Sequence, residues 1–389
     1  MPGSSEKVAV ASLERFFMAS RMMCMLVLLY AVLPSKGPAR TRWTPQHFWG
    51  QQSAYAGSRA CQGCHANLYK IQEASNHARS LRPLKEIEKI TSCLPFRLMD
   101  PSSQTELFLS RKPDGNIELS VRKDGKEDQI ILEWAFGAGA KGITPVGRRD
   151  NGQFVEGRLS WYETLGTFDL TAGARERIAQ DISESLGRSL GEEERSRCFG
   201  CHTTGSTAES PIPKREEMGI RCERCHGPGL EHIRSMASGN LSDRKIFHPG
   251  RLDGFSQAQL CGECHGPPPA DSDFDAIRYI QQKALTVRFP SQRMVLSRCF
   301  NEADANLKCS TCHNPHANIA ATRTHYDKIC LGCHRLEVRK RSAVCPVAKD
   351  NCVSCHMPKG RVMVHSEFTD HWIRATRAGV TTETKDSLK

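Results

Sequence analysis

The chain has 389 residues, 39% hydrophobic and 7% aromatic, enough for two or three ordinary domains. Its formal charge of +11 is dispersed, and no basic block is long enough to mark a nucleic-acid-binding tail. Cysteine use is lopsided: 14 of 18 cysteines fall in one repeated string.

Taken in chain order, residues 1–56 read as a signal peptide or N-terminal anchor. Arg15 and Arg21 precede the apolar run Met22–Leu33, which suits a signal-peptide core and is short for a membrane span. Cleavage after Gly37 or Ala56 and an uncleaved anchor are both open. Residues 57–95 form a first module, in which Cys61-Gln-Gly-Cys-His65 runs into a helix over Ala66–Leu81 carrying His77. Residues 96–197 lack the string. Thr105–Ser110, Ile117–Val121 and Gln129–Trp134 are separated by Asp114-Gly115 and Asp124-Gly125, a strong hairpin signal, and a turn at Asp150-Asn151-Gly152 precedes Gln153–Tyr162. A small antiparallel β insert around residues 105–162 follows, either a docking surface or a flap over the first module. Ile178, Ile182, Leu186 and Leu190 recur every four residues and predict a connecting helix over 172–195. Residues 198–378 hold six further strings among frequent Pro and Gly, and 379–389 form a polar tail. The expected fold class is mainly α, with extensive irregular loops wrapped on a stacked cofactor core, plus the small β insert.

The string is Cys-x-x-Cys-His, and it occurs seven times: Cys61/Cys64/His65, Cys198/Cys201/His202, Cys222/Cys225/His226, Cys261/Cys264/His265, Cys309/Cys312/His313, Cys330/Cys333/His334 and Cys352/Cys355/His356. This is the attachment signature of c-type haem. Two thiols add across the porphyrin vinyl groups, and the following His becomes the fifth iron ligand. Seven copies predict seven covalently bound haems. A zinc reading would leave the fixed His offset unexplained. Attachment of this kind takes place outside the cytoplasmic membrane, so the motif predicts export to the periplasm. Seven haems bring roughly −14 of propionate charge, which offsets the basic polypeptide and argues against a nucleic-acid partner. Outside the motifs lie Cys24, Cys93, Cys299 and Cys345. Cys299 and Cys345 are either a disulfide or two free thiols.

Eight histidines remain. His47 sits near the export segment, leaving His77, His232, His248, His316, His325, His365 and His371 as candidate sixth ligands for seven irons. Spacing directs them away from their own haems. His316 is three residues after His313, so on a helical turn the two imidazoles point the same way instead of facing across one iron. His232 follows His226 by six residues, and His77 lies about 18 Å along a helix from His65. Crosswise ligation between neighbours follows. Met294, Met357 and Met363 are fallback ligands.

Cys61-Gln-Gly-Cys-His65 with Ser75-Asn-His77-Ala-Arg79 resembles the first haem module of cytochrome c554-like multihaem proteins. Cys222-Glu-Arg-Cys-His-Gly-Pro-Gly-Leu-Glu-His232 and Cys309-Ser-Thr-Cys-His-Asn-Pro-His316 are similar to two further elements of that family. The resemblance covers roughly residues 57–375 and implies that His77, His232 and His316 are distal ligands. The wider superfamily includes hydroxylamine oxidoreductases and pentahaem nitrite reductases. This chain departs from both: it has no Cys-x-x-Cys-Lys motif, and no tyrosine follows Tyr326.

Three readings follow. The first is a periplasmic electron carrier passing electrons between redox partner proteins along closely packed, mostly bis-His haems. The second is a nitrogen-compound oxidoreductase with one five-coordinate haem, created where His248 or His325 fails to reach iron. The third is a subunit of a membrane-bound or outer-surface redox complex, docking through the β insert.

Overall fold

The computed structural model describes residues 54–205, 212–302, 307–334, 345, 347, 348 and 350–375. They lie within one compact unit. The motif-free stretch folds into a ten-stranded antiparallel sheet. Its strands are β1 (Leu81–Pro83), β2 (Phe96–Asp100), β3 (Thr105–Arg111), β4 (Ile117–Lys123), β5 (Lys126–Phe136), β6 (Gly142–Arg148), β7 (Phe154–Gly157), β8 (Leu159–Tyr162), β9 (Thr167–Leu170) and β10 (Gly187–Leu190). The spatial order is β10-β7-β6-β5-β4-β3-β2, with β1 on β5 and with β8 joining β6 to β9.

The Asp-Gly pairs make the turns. Asp124 and Gly125 both take positive φ, 49° and 75°, and close a two-residue loop between the paired Lys123 and Lys126. Such loops match the right-handed twist of the strands they join. Alternation then buries Leu107 and Leu109 of β3 against Ile117 and Leu119 of β4. Each such side chain stabilises the fold by about 1.5–3 kcal/mol. Leu84, Ile87 and Ile90, just after β1, cover the same core.

A second apolar cluster unites Leu81, Trp134, Val146, Phe154 and Leu190 with Phe199. Phe199 belongs to the helix Glu192–His202, which ends in the second Cys-x-x-Cys-His motif. The sheet therefore packs on the second motif.

The fold is not mainly α. The β part is a large ten-stranded sheet drawn from Leu81 to Leu190, not a small insert around residues 105–162. The helix expected over 172–195 is absent as well. Only Glu184–Leu186 makes a 3-10 turn before β10, and the α-helix starts at Glu192. Local side chains satisfy the backbone there: Glu184 Oε2 accepts from Gln180 N–H, and Asp181 Oδ1 accepts from Glu184 N–H. Acidic side chains of this kind compete with helical hydrogen bonds. At Gly187 a Cβ would overlap the Glu156 carbonyl, so β10 depends on glycine for its close approach to β7.

Beyond the sheet, short helices and loops carry the other motifs, ending in a hairpin of β11 (Lys359–Met363) and β12 (Ser366–Thr369). Among the described residues no helix is long and apolar enough to cross a membrane. The N-terminal anchor, one of the two alternatives for residues 1–56, finds no support among them; Met22–Leu33, on which it rested, lies outside the described residues, as do His47 and Cys24. Cys93, Cys299 and Cys345 are free thiols, so the disulfide alternative for Cys299 and Cys345 does not hold.

Candidate cofactor site

Each motif sits on a helical turn. The second, fourth and sixth close the helices Glu192–His202, Gly254–His265 and Arg323–His334; the third and seventh are single turns, Cys222–His226 and Cys352–His356. Bonds such as His65 N–H to Cys61 O (2.9 Å) and His313 N–H to Cys309 O (3.0 Å) place the first Cys and the His of a motif on one face.

Four motif histidines face a histidine from elsewhere in the chain. Ring centres stand 6.4 Å apart for His65 and His232, 6.1 Å for His265 and His77, 6.1 Å for His226 and His316, and 6.2 Å for His313 and His371. Two imidazoles bound on opposite sides of one metal should stand about 6.4 Å apart, from two metal–nitrogen bonds of about 2 Å and about 1.2 Å from each nitrogen to its ring centre. In each pair the non-motif histidine belongs to another segment: His232 follows the third motif and faces the first. His248 also approaches His226, at 6.3 Å and nearly perpendicular.

Hydrogen bonds fix which nitrogen is available. A carbonyl oxygen only accepts, so an imidazole nitrogen bonded to one must donate. Nδ1 of His202 donates to Ser80 O (2.8 Å), of His226 to Phe247 O (3.0 Å) and of His356 to Arg374 O (3.1 Å). Among the spare histidines, Nδ1 of His77 donates to Pro315 O (3.0 Å), of His232 to Arg244 O (2.6 Å) and of His371 to Thr369 O (2.9 Å). Nε2 is left as a lone-pair donor in all six, the state a metal ligand requires. Burial pushes His371 down to about 4, aided by His313, and His265 down to about 4, aided by His77, His371, His313 and His202. Burial also lowers His202, His226, His313 and His316.

His365 is placed differently. Its Nε2 is bonded to Asp169 Oδ2 at 2.7 Å, and its ring stands edge-on to Tyr162 at 4.9 Å. The nitrogen an iron would take is engaged. His325 stacks edge-on to Tyr326 at 5.0 Å and faces no motif histidine in the described part of the chain. Phe136 lies 5.1 Å from His202, and among the described residues no imidazole is paired with His202. His313 Nδ1 is buried with no hydrogen-bond partner among the described residues.

The motif sulfurs, which would carry the thioether bonds, also meet between motifs. Cys61 neighbours Cys222, Cys201 neighbours Cys264, and Cys261 neighbours Cys309. Cys225 lies in the field of Cys261 and Cys264, and Cys330 in that of Cys352 and Cys312. Neighbouring motifs thus run first–third–fourth–fifth–sixth–seventh, with the second branching from the fourth. Chain order does not predict this. The acceptors that orient the imidazoles are backbone carbonyls, which leave no trace in a residue pattern.

Exposure divides the same sulfurs. Cys64, Cys333 and Cys355 are exposed to solvent, whereas the other motif cysteines are half-buried. Each is the second cysteine of its motif, and the motifs concerned are the first, sixth and seventh. The first and seventh stand at the two ends of the series, and the sixth lies beside the seventh. Thioether formation requires a reachable thiol rather than a buried one, so Cys64, Cys333 and Cys355 belong to the rim of the site.

Two thiols per motif, imidazoles with Nε2 available and pair spacings that admit one metal all fit haem c. The described residues contain no cluster of three or more His, Cys, Asp or Glu able to hold a bare metal ion.

Residues 168–227, spanning the second and third motifs, match the model of the family described as cytochrome c554 and c-prime. Among solved structures, the outer cell wall cytochrome OcwA aligns with a TM-score of 0.48 and 15% identity, over 82% of this chain and 80% of that one. No curated protein matches. The family match and the motifs it spans support a multihaem c-type cytochrome with covalently bound haem c and a role in electron transfer.

Proposed function

We propose that the chain is a seven-haem electron-transfer cytochrome whose haems are mostly bis-His ligated and closely packed. The carrying observation is the set of four facing imidazole pairs at 6.1–6.4 Å, each joining a motif histidine to a histidine from another segment. Haem iron supplies a one-electron couple when bound. The chain supplies the rest. Cysteines of all seven motifs anchor it, the exposed Cys64, Cys333 and Cys355 included. His65, His202, His226, His265, His313, His334 and His356 are the proximal ligands. His232, His77, His316 and His371 are the distal ligands facing His65, His265, His226 and His313. Crosswise ligation keeps neighbouring motifs in contact, the condition for transfer between them and on to a partner redox protein.

Counting haems by intact mass and low-spin irons by low-temperature electron paramagnetic resonance tests this reading. Seven haems, at least four of them low-spin, are expected. Fewer than four low-spin haems would sink it.

The second motif favours one alternative, an oxidoreductase of small nitrogen compounds at a five-coordinate haem. His202 faces no imidazole among the described residues, and Trp134, Phe136, Phe154 and Phe199 screen its helix from water. Carbon monoxide or nitrite binding to one haem, abolished in His202→Ala, supports it; an entirely low-spin protein that binds neither rules it out.

A further inference from the structure

We propose that Glu223, a spacer residue of the third motif, is the positioning residue for the axial pair of the first haem, His65 and His232. The inference rests on the ligand reading above. Glu223 is 2% exposed. Its Oε1 accepts from the N–H groups of Ala56 (2.8 Å) and Gly229 (2.7 Å), and its Oε2 accepts from Gly57 N–H (2.9 Å). These three donors lie at the starts of two separate segments. Ala56 and Gly57 lead into Ser58–Cys61 and so to His65; Gly229 precedes the helix Leu230–Ala237, which carries His232. One buried carboxylate therefore sets the entry of both segments that bring the two imidazoles to 6.4 Å.

The surrounding contacts agree. Cys222 N–H donates to Ser58 Oγ (3.2 Å), so the first and third motifs are tied beside the same carboxylate. The chemistry of the position is restrictive. A carboxylate only accepts, and charge-assisted bonds to three amides compensate its burial. A Gln would turn an NH2 group toward at least one of those donors. Gly229 is also constrained: a Cβ there would sit 3.1 Å from Glu223 Oε1.

The test uses the haem-loaded full chain. His232→Ala provides the resonance signature of the first haem without its distal ligand. Glu223→Gln is expected to keep its haems, lose the low-spin signal of that one haem and gain the high-spin signal of His232→Ala, so that the high-spin count rises by about one haem. Added imidazole should restore low spin. Gly229→Ala, which crowds the carboxylate without removing it, should give a smaller form of the same change, and it decides on the same criterion if Glu223→Gln does not accumulate with its haems. An unchanged low-spin count in these variants, or loss from haems other than the first, overturns the role of Glu223. An unchanged count in His232→Ala instead overturns the ligand reading beneath it.

Discussion

Which nitrogen a histidine uses for its hydrogen bond separates the spare histidines more sharply than their positions in the chain. His77, His232 and His371 donate through Nδ1 and keep Nε2 available, whereas His365 commits Nε2 to Asp169, itself bonded to Arg175. His365→Ala is accordingly expected to leave the number of low-spin haems unchanged in a resonance spectrum. It should still lower the unfolding free energy by about 1 kcal/mol, because it removes a hydrogen bond between the β11–β12 hairpin and β9. A second residue-scale contact lies wholly in the sheet. Arg158, 3% exposed, donates from Nε to Asp100 Oδ2, with Asp100 fully buried. Burial alone would raise the Asp100 carboxyl, but hydrogen bonds from Ser102 and Arg158 outweigh it and hold the group below the usual aspartate range. A depressed folded value means stability that is present above the unfolded value of about 4 and is lost as pH falls through the folded one. Asp100→Asn should cost about 3–5 kcal/mol at neutral pH by leaving the guanidinium buried without its anion. Chemical denaturation should show the gap from the unsubstituted protein narrowing below about pH 4.

At the scale of elements, legibility followed the range of the signal. The Asp-Gly turns at 114–115 and 124–125 could be read directly, because a two-residue hairpin is a local decision. β1 could not: a three-residue strand ending in Pro83 has no pattern, and it exists only because β5 offers Phe136, Ala135 and Trp134 as partners. The four-residue stripe from Ile178 to Leu190 was misleading, since Asp181 and Glu184 cap the backbone and Gly187 turns the chain to β7. The motif residues of the site were legible as a string, but their pairing was not, because it depends on where distant loops cross. Gly219 marks one such crossing. It takes φ +80°, and a Cβ would overlap the Ala78 carbonyl; its N–H donates to His202 O while Ile220 N–H donates to His77 O. Gly219→Ala should therefore destabilise the fold by about 1–3 kcal/mol, combining backbone strain with overpacking. It should also weaken the His77–His265 pair, seen in thermal unfolding as a lower midpoint and in resonance as partial loss of one low-spin haem.

For the whole molecule, contacts between motifs define an arrangement in which the fourth motif is the junction. It touches the second through Cys264 and Cys201 and the fifth through Cys261 and Cys309; toward the third, the Arg224–Glu263 ion pair spans 3.4 Å. Electrons passing between the second motif and either end of the series would cross this junction, so its potential governs the traffic. His77, which faces His265 there, is the lever. Replacing a distal His with Met raises the potential of a c-type haem. His77→Met should move the midpoint of one haem upward in a redox titration and leave the others near their values. Because the junction then holds its electron, stopped-flow reduction should show one haem filling early and the haem beyond it, at His202, filling more slowly than in the unsubstituted protein. A series without a junction predicts something different: the same midpoint shift, with the rate at His202 unchanged. The midpoint shift thus reports whether His77 is the ligand, and once it is seen the kinetic arm tests the branched order itself.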